Sequence, residues 1–153
     1  MHQAVRKQGP TINGPHPPGW HKLNFDGAAR GNPGAAGIGC IINDKDGRWV
    51  AKLASPLPPV SNNVAELEAL EKGLQLCHKL GLARVFIEGD SQIVLNAIRQ
   101  KKTPNWVLNS KIQEVLLILE KFEDIHIFHI YREGNSLADG LGNRGADGES
   151  ILI

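Results

Sequence analysis

Three apolar runs between Trp20 and Ala54 are joined by nothing longer than a turn, and that spacing constrains the fold more than any other feature of the chain. Residues 21–28 (HKLNFDGA) alternate Leu23 and Phe25 against Asn24 and Asp26, the period of two that sends successive side chains to opposite faces of a strand. Residues 37–44 (GIGCIIND) and 49–54 (WVAKLA) are also strand-like. RGNPG (30–34) and DKDG (44–47) separate the runs, and both are built of turn-forming residues. Parallel neighbours need a crossover of roughly a dozen residues or more, so strands this close must pair antiparallel, as a three-strand meander.

The pattern then changes period. Residues 55–63 (SPLPPVSNN) are expected to form a loop and 64–81 a helix ended by Gly81, with Leu67, Leu70, Leu74 and Cys77 on its apolar face. A short strand (83–90), two helices (91–100 and 105–122) and a fifth strand (124–131) follow. After the turn REGN, the small-residue segment SLADGLGNRGAD is expected to be a helix capped by Asn135. Strands joined through helices return parallel. The predicted fold class is therefore α/β, a mixed five-stranded sheet flanked by helices, in which an antiparallel three-strand meander is joined by two parallel strands. Residues 20–148 form one domain in this reading, 1–19 a flexible tail or linker rich in Gly, Pro and His, and 149–153 a C-terminal tail.

Charge and cysteine content exclude several classes. Seventeen basic and sixteen acidic side chains leave a net charge of +1, so any polyanion must be held by local patches rather than by a global field. Cys40 and Cys77 lie in apolar stretches without metal-ligand spacing and read as small buried hydrophobes. No apolar run approaches the length of a membrane span, and no signal-peptide pattern follows Met1, which together lead to the expectation of an intracellular protein.

Four acids stand at the ends of regular elements: Asp26 in NFDG, Glu66 in VAELEAL, Asp90 in EGDS and Asp139 in SLADGL. Asp26 and Asp90 would end two adjacent parallel strands, where ligands gather in α/β sheets. Each also has an ordinary structural explanation, Asp26 as a turn former before Gly27 and Asp90 as a helix cap. On a helical wheel Glu66 lies roughly 50° from the centre of the buried face and Glu68 roughly 150° away, so Glu66 is expected to look towards the sheet and Glu68 towards water. A glutamate in a first turn also suits the helix dipole. Periodicity does not place Asp139.

DGAARGNPGAAGIG, SNNVAELEAL, EGDSQ and HIYREGNSLADGLGNRGA stand in the order and spacing of type 1 ribonucleases H, and the chain closely resembles the plant and retrotransposon-derived members from about Trp20 to Gly148. The resemblance implies a ribonuclease H-like fold and hydrolysis of the RNA strand of RNA/DNA hybrids, leaving 5′-phosphate and 3′-hydroxyl ends. It implies Asp26, Glu66, Asp90 and Asp139 as catalytic residues holding two Mg²⁺ ions, with Mn²⁺ as an alternative. Four carboxylates supply hard oxygen ligands and neutralise the four positive charges of such a pair.

Carried over position by position, the resemblance also implies nucleic-acid contacts at Gly27, Arg30 and Asn32 in the glycine-rich turn, at Ser61, Asn62 and Asn63, and at Gln92. Arg99, Lys101, Lys102 and Trp106 stand where bacterial members carry a longer basic protrusion. The glycine-rich turn can equally be a plain hairpin turn, and Asn63 can equally cap the long helix. Two departures are visible. Residues 132–138 lack the histidine that many members carry before the last aspartate, and no separate hybrid-binding domain stands between Met1 and Trp20, which leaves processivity open. His126 and His129 alternate with isoleucines in the fifth strand and read as structural. The expected partner is an RNA/DNA hybrid, bound by a monomer. The alternatives are a ribonuclease H fold that binds nucleic acid or protein without cutting, and a different nuclease of the same superfold.

Overall fold

The computed structural model describes residues 5–6, 19–31 and 34–153. Its elements in chain order are β1 (Val5–Arg6), β2 (Trp20–Gly31), β3 (Gly34–Asn43), β4 (Trp49–Val60), α1 (Asn62–Lys79), β5 (Arg84–Gly89), α2 (Gln92–Gln100), α3 (Trp106–Leu119), β6 (Asp124–His129), a single 3-10 turn (Arg132–Asn135), α4 (Ser136–Ala146) and β7 (Ile151–Leu152). One sheet takes the order β1-β6-β5-β2-β3-β4-β7. The antiparallel meander is β2-β3-β4, with β5 added to β2 and β6 to β5, both in parallel, as predicted.

The sheet is wider than five strands. Val5–Arg6 pairs in parallel with β6, inside the segment expected to be a tail; the rest of that segment apart from Gly19 lies outside the described residues. Ile151–Leu152, also expected to be tail, pairs antiparallel with Leu53 and Ala54 of β4. The expected loop 55–63 is a second correction, because β4 runs on to Val60, pairing Ser55 with Ile38 and Pro56 with Gly37. Proline donates no ladder bond, which excludes it from central strands but costs little where one edge of the strand is open.

The face of the sheet under α1, α2 and α3 carries the main core. Leu23, Phe25, Ile87 and Ile127 of the strands meet Leu67, Leu70, Leu74 and Cys77 of α1, all buried. Burial pushes the Cys40 thiol up to about 12, and that of Cys77 well above its ordinary range, so neither is a ready nucleophile. α1 starts from Ser61, whose Oγ accepts the Val64 amide at 3.3 Å, and Asn63 therefore lies within the first turn rather than at the cap. It ends in a Schellman turn: Gly81 at φ +77° donates to His78 O and Leu82 donates to Cys77 O. Glu68 does not face open water. It pairs with Lys111 of α3, because α3 packs along the flank of α1 that the helical wheel leaves to solvent.

α4 covers the opposite face over β2, β3 and β4. Its approach depends on Gly39, where an added Cβ would lie 2.3 Å from Gly142 N and 2.5 Å from Ala138 O. The GIG of β3 is thus a seat for a helix, and that seat brings the start of α4 to the middle of β2.

Candidate active site

Asp26 lies within β2, opposite Gly39, two residues past the last pair that β2 makes with β5, Asn24↔Glu88. It is therefore not at a strand end, as expected, but at the point where β5 stops and only β3 continues beside β2. Asp90 is the first residue beyond β5. The capping of α2 falls to Ser91, whose Oγ accepts the Val94 amide, and this leaves the Asp90 carboxylate to the site. Glu66 comes from the second turn of α1, because the helix starts at Asn62 and not at Val64 as expected; it is buried, with Oε1 accepting the Gly27 amide at 3.0 Å. That bond requires glycine at 27, since a Cβ there would lie 2.2 Å from the Ala65 carbonyl carbon and 2.4 Å from Glu66 N.

Asp26, Glu66 and Asp90 each offer an oxygen within 4.8 Å of the others. Asp139, on the first turn of α4, stands at the rim of this group. Its carboxyl is within hydrogen-bonding reach of Asp26, and its Oδ1 lies 3.4 Å from Nη2 of Arg132. The four acids thus come together from β2, α1, the β5 end and α4. Asp26, Glu66 and Asp90 wall a cleft of about 380 Å³ together with Asn62, Ser91, His129, Tyr131 and Arg132, the last of which pairs with Asp139.

The electrostatics of the cluster are those of a cation site. Burial raises the Asp26 carboxyl far above the ordinary carboxylate range, and the negative charges of Glu66 and Asp90 and the contact with Asp139 push the same way. Glu66 is raised to about 7 by burial and the Asp90 charge, against the pull of the Gly27 amide and Arg132. Asp90 is raised by burial and held back by a hydrogen bond from Asn135 and by the Arg132 and His129 charges. Hard carboxylate oxygens this close, at such cost when ionised, fit a divalent cation of the Mg²⁺ kind.

The expected nucleic-acid residues divide. Gly27 and Asn62 line the cleft, and Gln92 lies exposed on α2 beside Ser91, with its Nε2 donating to Asn96. Ser61 is occupied as the cap of α1. Arg30 pairs with Asp147 at 2.5 Å and donates to Asn143 O at 3.0 Å, which ties it to the end of α4. Arg99 donates to the Ile127 carbonyl of β6 and is half-buried, so it is not part of a solvated basic face. Lys101 takes the left-handed conformation that ends α2; Lys102 is exposed, and Trp106 is 80% exposed at the start of α3. Asn32 lies outside the described residues.

The reading of the two histidines holds for one. His126 packs among Trp20, Phe86 and Phe128, but His129, the last residue of β6, reaches the cleft wall. Asn135 does not cap α4 with its side chain, as expected. It turns inward, 1% exposed, and donates from Nδ2 to the Phe25 carbonyl at 2.9 Å. Sequence reasoning missed this role and also the buried Asn24 and Glu88 that join it, for which the signals were Asn24 between Leu23 and Phe25 in β2 and Glu88 after the apolar run 85–87 in β5.

A family model described as reverse transcriptase-like matches residues 24–145. The ribonuclease HI of Halobacterium salinarum is 34% identical over 128 residues, 80% of this chain and 62% of the relative. An Arabidopsis thaliana protein with a provisional ribonuclease H name is 34% identical over 125 residues, 82% of this chain and 20% of the relative. The chain thus spans less than two thirds of either relative. Among solved structures, the crystal structure of ribonuclease H1 from H. salinarum superposes with a TM-score of 0.81 at 33% identity, covering 84% of this chain and 98% of that one. LC11-RNase H1 in complex with an RNA/DNA hybrid superposes with a TM-score of 0.78 at 32% identity, covering 83% and 96%.

Proposed function

Since this chain belongs to the type 1 ribonuclease H family, we propose that it is a divalent-metal-dependent endonuclease cutting the RNA strand of RNA/DNA hybrids. The observation that carries the reading is the convergence of Asp26, Glu66 and Asp90 within 4.8 Å, with Asp139 at hydrogen-bonding reach of Asp26. Asp26 adjoins the other three acids, and together with Glu66, Asp90 and Asp139 it would hold the ions. Two bound Mg²⁺ ions about 4 Å apart would supply an activated water for in-line attack and charge stabilisation for the leaving 3′ oxygen. The products would carry 5′-phosphate and 3′-hydroxyl ends.

The chain's own residues set selectivity. Glu66, held by the Gly27 amide, would accept a hydrogen bond from a ribose 2′-hydroxyl, the group that distinguishes RNA from DNA. Asn62 lines the cleft on the α1 side and Gln92 follows the lining residue Ser91 on the α2 side, and both would meet the minor groove of the duplex. Arg132 sits in the loop where resembling proteins carry a histidine. A guanidinium stays protonated near neutral pH, so it cannot take up a proton. It would instead hold Asp139 by charge and offset the negative charge of the cluster. The convergence of Asp26, Glu66 and Asp90 on one cleft, with Asp139 beside Asp26, favours cleavage over a binding-only role.

The test is incubation with a labelled RNA/DNA hybrid, duplex DNA and single-stranded RNA, each with Mg²⁺ or EDTA. Cleavage of the RNA strand of the hybrid, abolished by EDTA, is the expected result. Intact hybrid after incubation with Mg²⁺ would overturn the reading, and equal cutting of duplex DNA would replace it with a general nuclease.

A further inference from the structure

Behind the carboxylates, on the sheet face that carries α4, lies a buried polar chain that the proposed chemistry does not use. Glu88 is 2% exposed, and its Oε1 accepts from Asn24 Nδ2 at 3.0 Å and lies 3.6 Å from Lys22 Nζ. The same Asn24 Nδ2 donates to Asn135 Oδ1 at 3.1 Å. Asn135 Nδ2 in turn donates to the carbonyl of Phe25, the residue before Asp26, and the Asn135 side chain also hydrogen-bonds the Asp90 carboxylate. Asp139 follows one helical turn after Asn135 on α4. One amide therefore joins the three elements that deliver Asp26, Asp90 and Asp139.

An asparagine amide presents an acceptor on one side and a donor on the other with nearly the same shape, so its neighbours decide which way it faces. An ionised carboxylate only accepts. Glu88 thus requires Asn24 to present its NH₂, and that NH₂ requires Asn135 to present its oxygen backwards and its NH₂ forwards. In the reverse orientation the Asn135 oxygen would face the Phe25 carbonyl and the Asp90 carboxylate, both acceptors, and three polar groups, two of them buried, would lose a partner.

We propose that Glu88 is a positioning residue, which acts through Asn24 and Asn135 to set the Asp90 carboxylate and the start of α4 for metal binding at the cleft. This rests on the metal-dependent reading of the cleft. Partners that orient metal ligands from behind commonly contribute about tenfold to a hundredfold in metal affinity.

Calorimetric Mg²⁺ titration of the metal-free protein, beside the Mg²⁺ dependence of hybrid cleavage, tests the assignment. Glu88→Ala should raise the half-saturating Mg²⁺ concentration by about tenfold or more in both measurements, with KM for the hybrid little changed. Glu88→Gln keeps an acceptor for Asn24 and should recover most of the loss. An unchanged Mg²⁺ requirement in folded Glu88→Ala overturns the proposal, as does a Glu88→Gln protein as impaired as Glu88→Ala. If Glu88→Ala does not fold, Asn24→Ser cuts the chain one step nearer and carries the same expectation. Failure of both to fold would make the network purely structural and also overturn the proposal. Wild-type protein that neither binds Mg²⁺ nor cuts would instead remove the metal reading itself, so the two failures are distinct.

Discussion

Glu66→Gln in the absence of divalent ions separates the electrostatic cost of the cluster from its packing. The substitution keeps the shape of the side chain and an oxygen to accept the Gly27 amide, and it removes the charge. Glu66 is raised from 4.5 to about 7 in the folded protein. Below the unfolded value the carboxyl is protonated in both states and costs nothing. As pH rises towards 7 the unfolded chain ionises first, so wild-type stability falls, and above 7 the loss levels off at about 3 kcal/mol. For a chain of this size each kcal/mol corresponds to roughly 2–4 °C in Tm. In EDTA, the melting temperature of Glu66→Gln should thus rise relative to wild type by roughly 6–12 °C between about pH 5 and about pH 8. Saturating Mg²⁺ at the higher pH should close or reverse the gap, because the ion stabilises only the state that binds it. A gap that changes by less than about 2 °C across this range would refute the argument that burial and like charge hold Glu66 protonated.

Asp26→Asn and Asp90→Asn should each lower hybrid cleavage by roughly 10² to 10⁴, with circular dichroism unchanged, because each removes a charged oxygen ligand; near wild-type rates in either would contradict the proposed site. Gly27→Ala drives a Cβ to 2.2 Å from the backbone of Ala65, so α1 must shift, and differential scanning calorimetry should show a loss of about 1–3 kcal/mol. Gly140→Ala, which meets nothing within 4 Å on an exposed face of α4, is the control and should be neutral or stabilising by up to about 1 kcal/mol.

The fold was readable where local chemistry and the tertiary result agree. The meander follows from turns too short for a crossover, and Leu67, Leu70, Leu74 and Cys77 mark the buried face of α1 because one face of that helix does meet the sheet. Glu66 and Asp90 were legible for the same reason, as acids at predictable places on predictable elements, whereas for Asp26 the strand was legible but not its place in the middle of it. The extension of β4 was not, because proline signals a break unless the strand is known to lie near an edge, and that depends on which strands pair. Asp139 escaped periodicity because the leucine face of α4 is a poor guide: Leu137 is 65% exposed, and the helix is seated by Gly142 and Gly145 against β2, β3 and β4. Asn135 occupies a capping position, but its side chain serves residues more than a hundred positions away, and no local pattern encodes such a bond. Glu68 found Lys111 for a similar reason, the docking of α3 on α1.

The most direct measurement of the central claim is a crystal structure of the protein with Mg²⁺ and a hybrid whose RNA strand carries a non-cleavable linkage. The account predicts two ions about 4 Å apart, held by Asp26, Glu66, Asp90 and Asp139, with the RNA phosphate between them. A single ion, ions held away from these four acids, or the DNA strand seated at the cleft would contradict it.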